Sequence, residues 1–71
     1  MTSSAAELSS LASTLDELTR RITAIADAYV AADHEELALE LYAAERALVG
    51  AHRRLARVGE ADRRLAGGHR R

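Results

Sequence analysis

The densest set of side chains able to do chemistry lies midway along the chain, in "DHEELALE", where Asp33, His34, Glu35, Glu36 and Glu40 stand together. Carboxylates and an imidazole this close could hold a divalent cation, with Glu36 and Glu40 one helical turn apart. Helical-bundle sites for paired metals place a Glu three residues before a His on a core-facing helix. Here the residue three before His34 is Ala31, and the residue three before His52 is Val49. The cluster therefore reads as the acidic first turn of a helix, where negative charge complements the exposed amide dipoles. No metal or other cofactor is expected.

Catalytic readings fare no better. Ser and Thr crowd the first fourteen residues, but no His lies nearby and no glycine-framed elbow presents a nucleophile. Tyr29 and Tyr42 flank the centre of the chain and read as packing residues that meet across a turn, with their hydroxyls in water. The chain is read as non-enzymatic.

A third group is cationic: Arg53, Arg54, Arg57, Arg63 and Arg64, followed by Arg70 and Arg71. Residues 1–50 carry three arginines against nine carboxylates, and residues 51–71 carry seven arginines against two, so a net charge of -1 conceals halves of −6 and +5. Cations near a helix C-terminus are favourable on dipole grounds alone. As a docking patch, Arg53, Arg54, Arg57, Arg63 and Arg64 would suit an anion or an acidic protein partner, since the planar guanidinium grips carboxylate and phosphate in bidentate fashion. No aromatic residue interleaves with them, so nucleic acid as a partner is unsupported by any stacking platform.

The elements that position these groups follow from composition. The chain has 71 residues, no Cys, no Phe and no Trp, and 48% hydrophobic content that is largely Ala and Leu. Dominance of Ala, Leu, Glu and Arg belongs to long helices and coiled coils. Neither a signal peptide nor a membrane span is visible, which makes a cytoplasmic protein the expectation. Leu8, Leu11, Leu15, Leu18, Ile22, Ile25 and Tyr29 recur at alternating steps of three and four, forming one heptad seam. A second seam runs through Leu37, Leu41, Ala44, Leu48, Ala51, Leu55 and Val58. The two are out of register, because continuing the first would reach Glu36 and Leu39 rather than Leu37 and Leu41.

That slip predicts a turn although no Gly or Pro marks it. Two capping boxes support the same division: Ser4 with Glu7, and Asp33 with Glu36. The fold class is therefore all-α, a two-helix antiparallel hairpin of coiled-coil character. Residues 1–4 form a flexible N-terminus and helix one covers about 5–31. The turn falls at about 32–33. Helix two covers about 34–58 with an extension to 66, and 67–71 form a basic tail. A lone pair of seams this poor in large side chains buries little, because domains of this size usually need disulfides, metals or oligomerisation. A homodimer completing a four-helix bundle is expected, with the function of a dimerisation or protein–protein interaction module. An anion-binding or nucleic-acid-binding regulatory role for the Arg-rich C-terminal end is the alternative.

Overall fold

The structure, a computed structural model, describes residues 4–68. Within them the chain is two α-helices, α1 (Ala5–Ala31) and α2 (Glu35–Gly68), packed against each other as a hairpin. Its principal axes measure 59 × 14 × 12 Å. Strong helix formers and the absence of Pro carry both helices. Gly50, Gly59 and Gly67 each weaken α2 by up to about 1 kcal/mol relative to Ala without ending it. Of the expected basic tail, Gly67 and Gly68 belong to α2, and residues 69–71 lie outside the described residues, as do residues 1–3 of the expected flexible N-terminus.

The turn is closed by backbone chemistry that needs an unusual residue conformation. Asp33 takes φ 64°, the left-handed region in which glycine usually stands. With Ala32 as the C-cap of α1, the Asp33 amide donates to the Val30 carbonyl at 3.1 Å and the His34 amide donates to the Tyr29 carbonyl at 2.8 Å. Those two bonds define a Schellman motif. The side-chain contact that accompanies this motif is also present, with the Tyr29 and His34 rings edge to face at 6.2 Å between centroids. The role assigned to Asp33 from sequence is thereby corrected. It ends α1, while His34 precedes α2 and its carbonyl accepts the Ala38 amide at 3.1 Å.

The other capping box is replaced as well. Ser4 is the N-cap of α1, yet its side chain makes no capping hydrogen bond. Its backbone N–H instead donates to Oδ2 of Asp62 on α2 at 2.8 Å. A carboxylate from the opposite helix thus takes the place that Glu7 would have held, and it lies where the α1 dipole favours negative charge. This contact closes the open end of the hairpin, opposite the turn.

Packing between the helices resolves each seam into three rows, spaced by sevens. A shared row of Leu8, Leu15, Ile22 and Tyr29 on α1 is half-buried, as are Leu41, Leu48 and Leu55 on α2. Beside it runs an inner row of small residues: Ala12, Thr19 and Ala26 are buried on α1, and Ala38 and Gly59 on α2. Glu45 and His52 continue that inner row and are half-buried. Ala26 is fully enclosed at 0% exposure. Thr19 enters the interface without an orphaned hydroxyl, because its Oγ1 donates to the Leu15 carbonyl at 2.7 Å. A Cβ added at Gly59 would meet Leu8 Cβ at 3.8 Å, an ordinary contact, so the helices pass closely there.

The outer row is the third. Leu11, Leu18 and Ile25 on α1, with Leu37, Val58 and Leu65 on α2, remain exposed. The hairpin thus buries its small side chains most completely, half-buries the large ones of the shared row and leaves those of the outer row exposed.

Candidate functional site

The geometry of a helix explains where the outer row points. Relative to a shared-row residue, the position four later is rotated about 40° one way, and the position three later about 60° the other way, at 3.6 residues per turn. The inner row occupies the first position and faces the opposite helix. The outer row occupies the second. An antiparallel pair is related by an approximate two-fold axis normal to the plane of its helices, and that operation keeps each broad face on its own side. Outer rows offset in the same sense on both helices therefore share one face.

That face is apolar along its length. It carries Leu11 at 49% exposure, Leu18 at 41%, Ile25 at 50%, Leu37 at 50%, Val58 at 53% and Leu65 at 67%, with Ala44 and Ala51 between. The opposite broad face, about 100° to the other side of the inner row, carries Ser13, Arg20 and Asp27 on α1 and Leu39, Arg46, Arg53 and Glu60 on α2, with Ser9, Asp16, Thr23 and Val30, and Glu35, Tyr42, Val49, Ala56 and Arg63, between it and the helix contact. It is mixed in character, so the hairpin is one-sided. Two more exposed apolar side chains, Val30 and Leu39, lie off the outer face.

The residues read as self-association seam from sequence are thus divided by the structure. Leu8, Leu15, Ile22, Tyr29, Leu41, Leu48 and Leu55 lie where the hairpin interface and the outer face meet, while Leu11, Leu18, Ile25, Leu37, Ala44, Ala51 and Val58 belong to the outer face. Missing from the sequence reading was the inner row. Its signal was available on α1, where Ala5, Ala12, Thr19 and Ala26 recur every seven residues, and was broken on α2, where Glu45 and His52 stand between Ala38 and Gly59 in that row.

Charge is arranged along the flanks. Arg20 binds Asp16 at 3.0 Å and Glu17 at 3.7 Å, so it takes both carboxylates, and Arg21 makes no ion pair with any described residue. Arg53, Arg54, Arg57, Arg63 and Arg64 are all exposed and make no ion pair with any described residue. At the turn, Asp33, His34, Glu35, Glu36 and Leu37 line an open shelf, but among the described residues no group of His, Asp and Glu side chains is placed to hold a metal ion. A shallow cleft of about 170 Å³ at the open end, bordered by Leu8, Ala12, Leu55, Gly59 and Arg63, is smaller than the roughly 300–1,000 Å³ typical of small-molecule sites.

The two tyrosines do not stack on each other. Tyr29 meets His34, and the Tyr42 hydroxyl donates to Oδ1 of Asp27 across the hairpin. Acceptance of that hydrogen bond by the Asp27 carboxylate raises the Tyr42 pKa above its ordinary 10.0, with desolvation and the negative charges of Asp27 and Glu45 adding to the shift.

No helix among the described residues is long and apolar enough to cross a membrane. Compared with protein-family models, curated proteins and solved structures, the chain finds no match, so its function has to be argued from this geometry.

Proposed function

We propose that this protein is a non-enzymatic dimerisation module in which two hairpins apply their outer faces to one another and complete a four-helix bundle. One observation carries the reading: Leu11, Leu18 and Ile25 of α1 and Leu37, Val58 and Leu65 of α2 are exposed and share one face by helix geometry, while Ala12, Thr19, Ala26, Ala38 and Gly59 are buried in the contact between the helices. A second copy is the occupant that suits this face. A surface 59 Å long and 14 Å wide offers about 800 Å² per copy, which is what each partner contributes to an interface of standard size. It also presents equivalent rows on two antiparallel helices, and such a surface complements itself through a two-fold axis.

The energetics agree in scale. Covering the exposed half of a Leu, Ile or Val side chain contributes on the order of 1 kcal/mol. Six such residues from each of two copies give roughly 12 kcal/mol, of the order of the about 4–15 kcal/mol lost when two bodies associate. Association is therefore reversible and concentration-dependent. Sedimentation equilibrium should give a dimer, and Leu48→Glu, in the shared row, should abolish both dimer and helicity. A Leu48→Glu protein that sediments as a folded dimer would remove the bundle account.

A second reading rests on the arginines. Because Arg53, Arg54, Arg57, Arg63 and Arg64 are exposed and lack carboxylate partners among the described residues, that end of α2 is suited to an acidic protein surface or another polyanion. Binding of this kind weakens steeply with salt and is lost when Arg53, Arg54 and Arg57 are all replaced by Ala. An absence of binding to acidic peptides or nucleic acid at low salt would count against it.

A further inference from the structure

Two stackings of the outer faces satisfy a two-fold axis. In one, α1 lies on the partner's α2 and both turns fall at the same end. In the other, α1 lies on α1 and α2 on α2, so that each turn sits over the partner's open end. Resting on the dimer proposed above, we infer that the second arrangement is the one this chain forms.

Charge along the hairpin is the main argument. From residue 27 to residue 45 the chain carries Asp27, Asp33, Glu35, Glu36, Glu40 and Glu45 and no arginine at all. With both turns at one end, twelve carboxylates would gather on four helices whose neighbouring axes lie about 8–10 Å apart, close to the Debye length of about 8 Å over which repulsion persists in physiological salt. Turn over open end sets the same groups against Arg54, Arg57 and Arg64 of the partner. The alignment is specific. The outer row of α2 runs from Leu37 to Leu65 and is centred on Ala51, so a two-fold axis there brings Glu36 and Glu40 level with the partner's Arg64.

On α1 the outer row is centred on Leu18, which lies level with Ala51 in the hairpin, so the same axis serves both helices. There it sets Arg21, which has no ion-pair partner among the described residues, level with the partner's Glu17. Packing also bears on the choice. The central layer is Leu18 and Ala51 from both copies in either stacking. Away from it, turn over open end combines Ile25 and Ala44 with the partner's Leu11 and Val58, giving two layers of equal volume. The other stacking makes one layer of Ile25 and Ala44 alone and one of Leu11 and Val58 alone, and layers of unequal volume pack at the cost of voids or strain.

The test uses the full chain, whose lack of cysteine allows one to be placed at will. Glu35→Cys lies on the face away from the proposed contact, and a nitroxide attached there reports the separation of the two turns by pulsed dipolar spectroscopy. At 1.5 Å rise per residue and 8–10 Å between helix axes, turn over open end places the two labels beyond about 45 Å. A distance within about 35 Å in a protein that sediments as a dimer overturns the orientation and leaves the dimer standing. A monomer at all concentrations, with no dipolar coupling, overturns the orientation together with the dimerisation reading beneath it.

Discussion

Replacing Leu18 by Ala separates the two surfaces of α1 more cleanly than any other change. Leu18 sits at the centre of the outer row and is 41% exposed in the hairpin, so roughly two-fifths of its side chain is still to be covered. Full burial of a Leu is worth about 1.5–3 kcal/mol, and covering the exposed part contributes about 1 kcal/mol per copy. The change occurs twice in a symmetric dimer, which gives about 2 kcal/mol. At about 1.4 kcal/mol per tenfold, the dimer dissociation constant should rise roughly 30-fold. Alanine is the strongest helix former, so the loss cannot be ascribed to weakened helicity. Sedimentation equilibrium over a range of concentrations measures it directly. Val30→Ala is the control, since Val30 is equally exposed at 43% but lies off the outer face. It should change the constant less than about twofold. An unchanged constant for Leu18→Ala, or an equal loss for Val30→Ala, would refute the assignment of the outer face.

The other predictions concern the hairpin itself. Asp33→Gly should stabilise the fold by about 1 kcal/mol in thermal or urea unfolding, because a residue with a Cβ in the left-handed region costs about 1–2 kcal/mol that glycine does not incur. Ala26→Leu should destabilise by about 1–3 kcal/mol, since Ala26 is wholly enclosed and larger side chains would push the helices apart. By contrast Gly59→Ala, whose added Cβ meets only an ordinary contact with Leu8, should stabilise by about 0.5–1 kcal/mol through helix propensity; a marked loss would show that the helices approach more closely than described. For Tyr42 the sign follows from a raised pKa. Its hydrogen bond to Asp27 favours the protonated phenol, so the stabilisation is complete below the ordinary tyrosine value of 10.0 and disappears as pH rises through the higher folded-state value. Tyr42→Phe should therefore be less stable than the parent near neutral pH and should lose that deficit in strong alkali, where Asp27 and Glu45 repel the parent's phenolate, as pH-dependent urea unfolding would show.

Much of this fold could be read from spacing. A break in phase between two heptad series located the turn, and the periodicity of Leu, Ile and Ala marked both helices as amphipathic. The means of turning could not be read, because a left-handed residue is normally announced by Gly or Asn. Here Asp33 fills that place, held by two backbone hydrogen bonds and a ring contact, all between residues 29 and 34, that its residue type does not announce. The N-cap is a similar case. Ser4 and Glu7 match a local pattern, but the carboxylate that satisfies the Ser4 amide comes from Asp62, 58 residues away in sequence.

The sequence by itself determined two amphipathic helices, their division near residue 33, and the steep gradient of charge along α2. It also placed Leu8, Leu15, Leu41 and Leu48 on one side of their helices, since every seventh position returns to nearly the same side of a helix. Which neighbour joined them was left to tertiary structure. Positions three and four residues on lie on either side of the same stripe, the first row being Leu, Ile, Val and Ala and the second Ala and Thr on α1 with Ala38, Glu45, His52 and Gly59 on α2. Contact between the helices selected the row of Ala, Thr and Gly, because small side chains let two backbones approach and one hairpin has only one opposite helix to offer. The leucines, isoleucine and valine of the other row were turned outward by the same rotation, and so a pattern that reads as one seam became two surfaces.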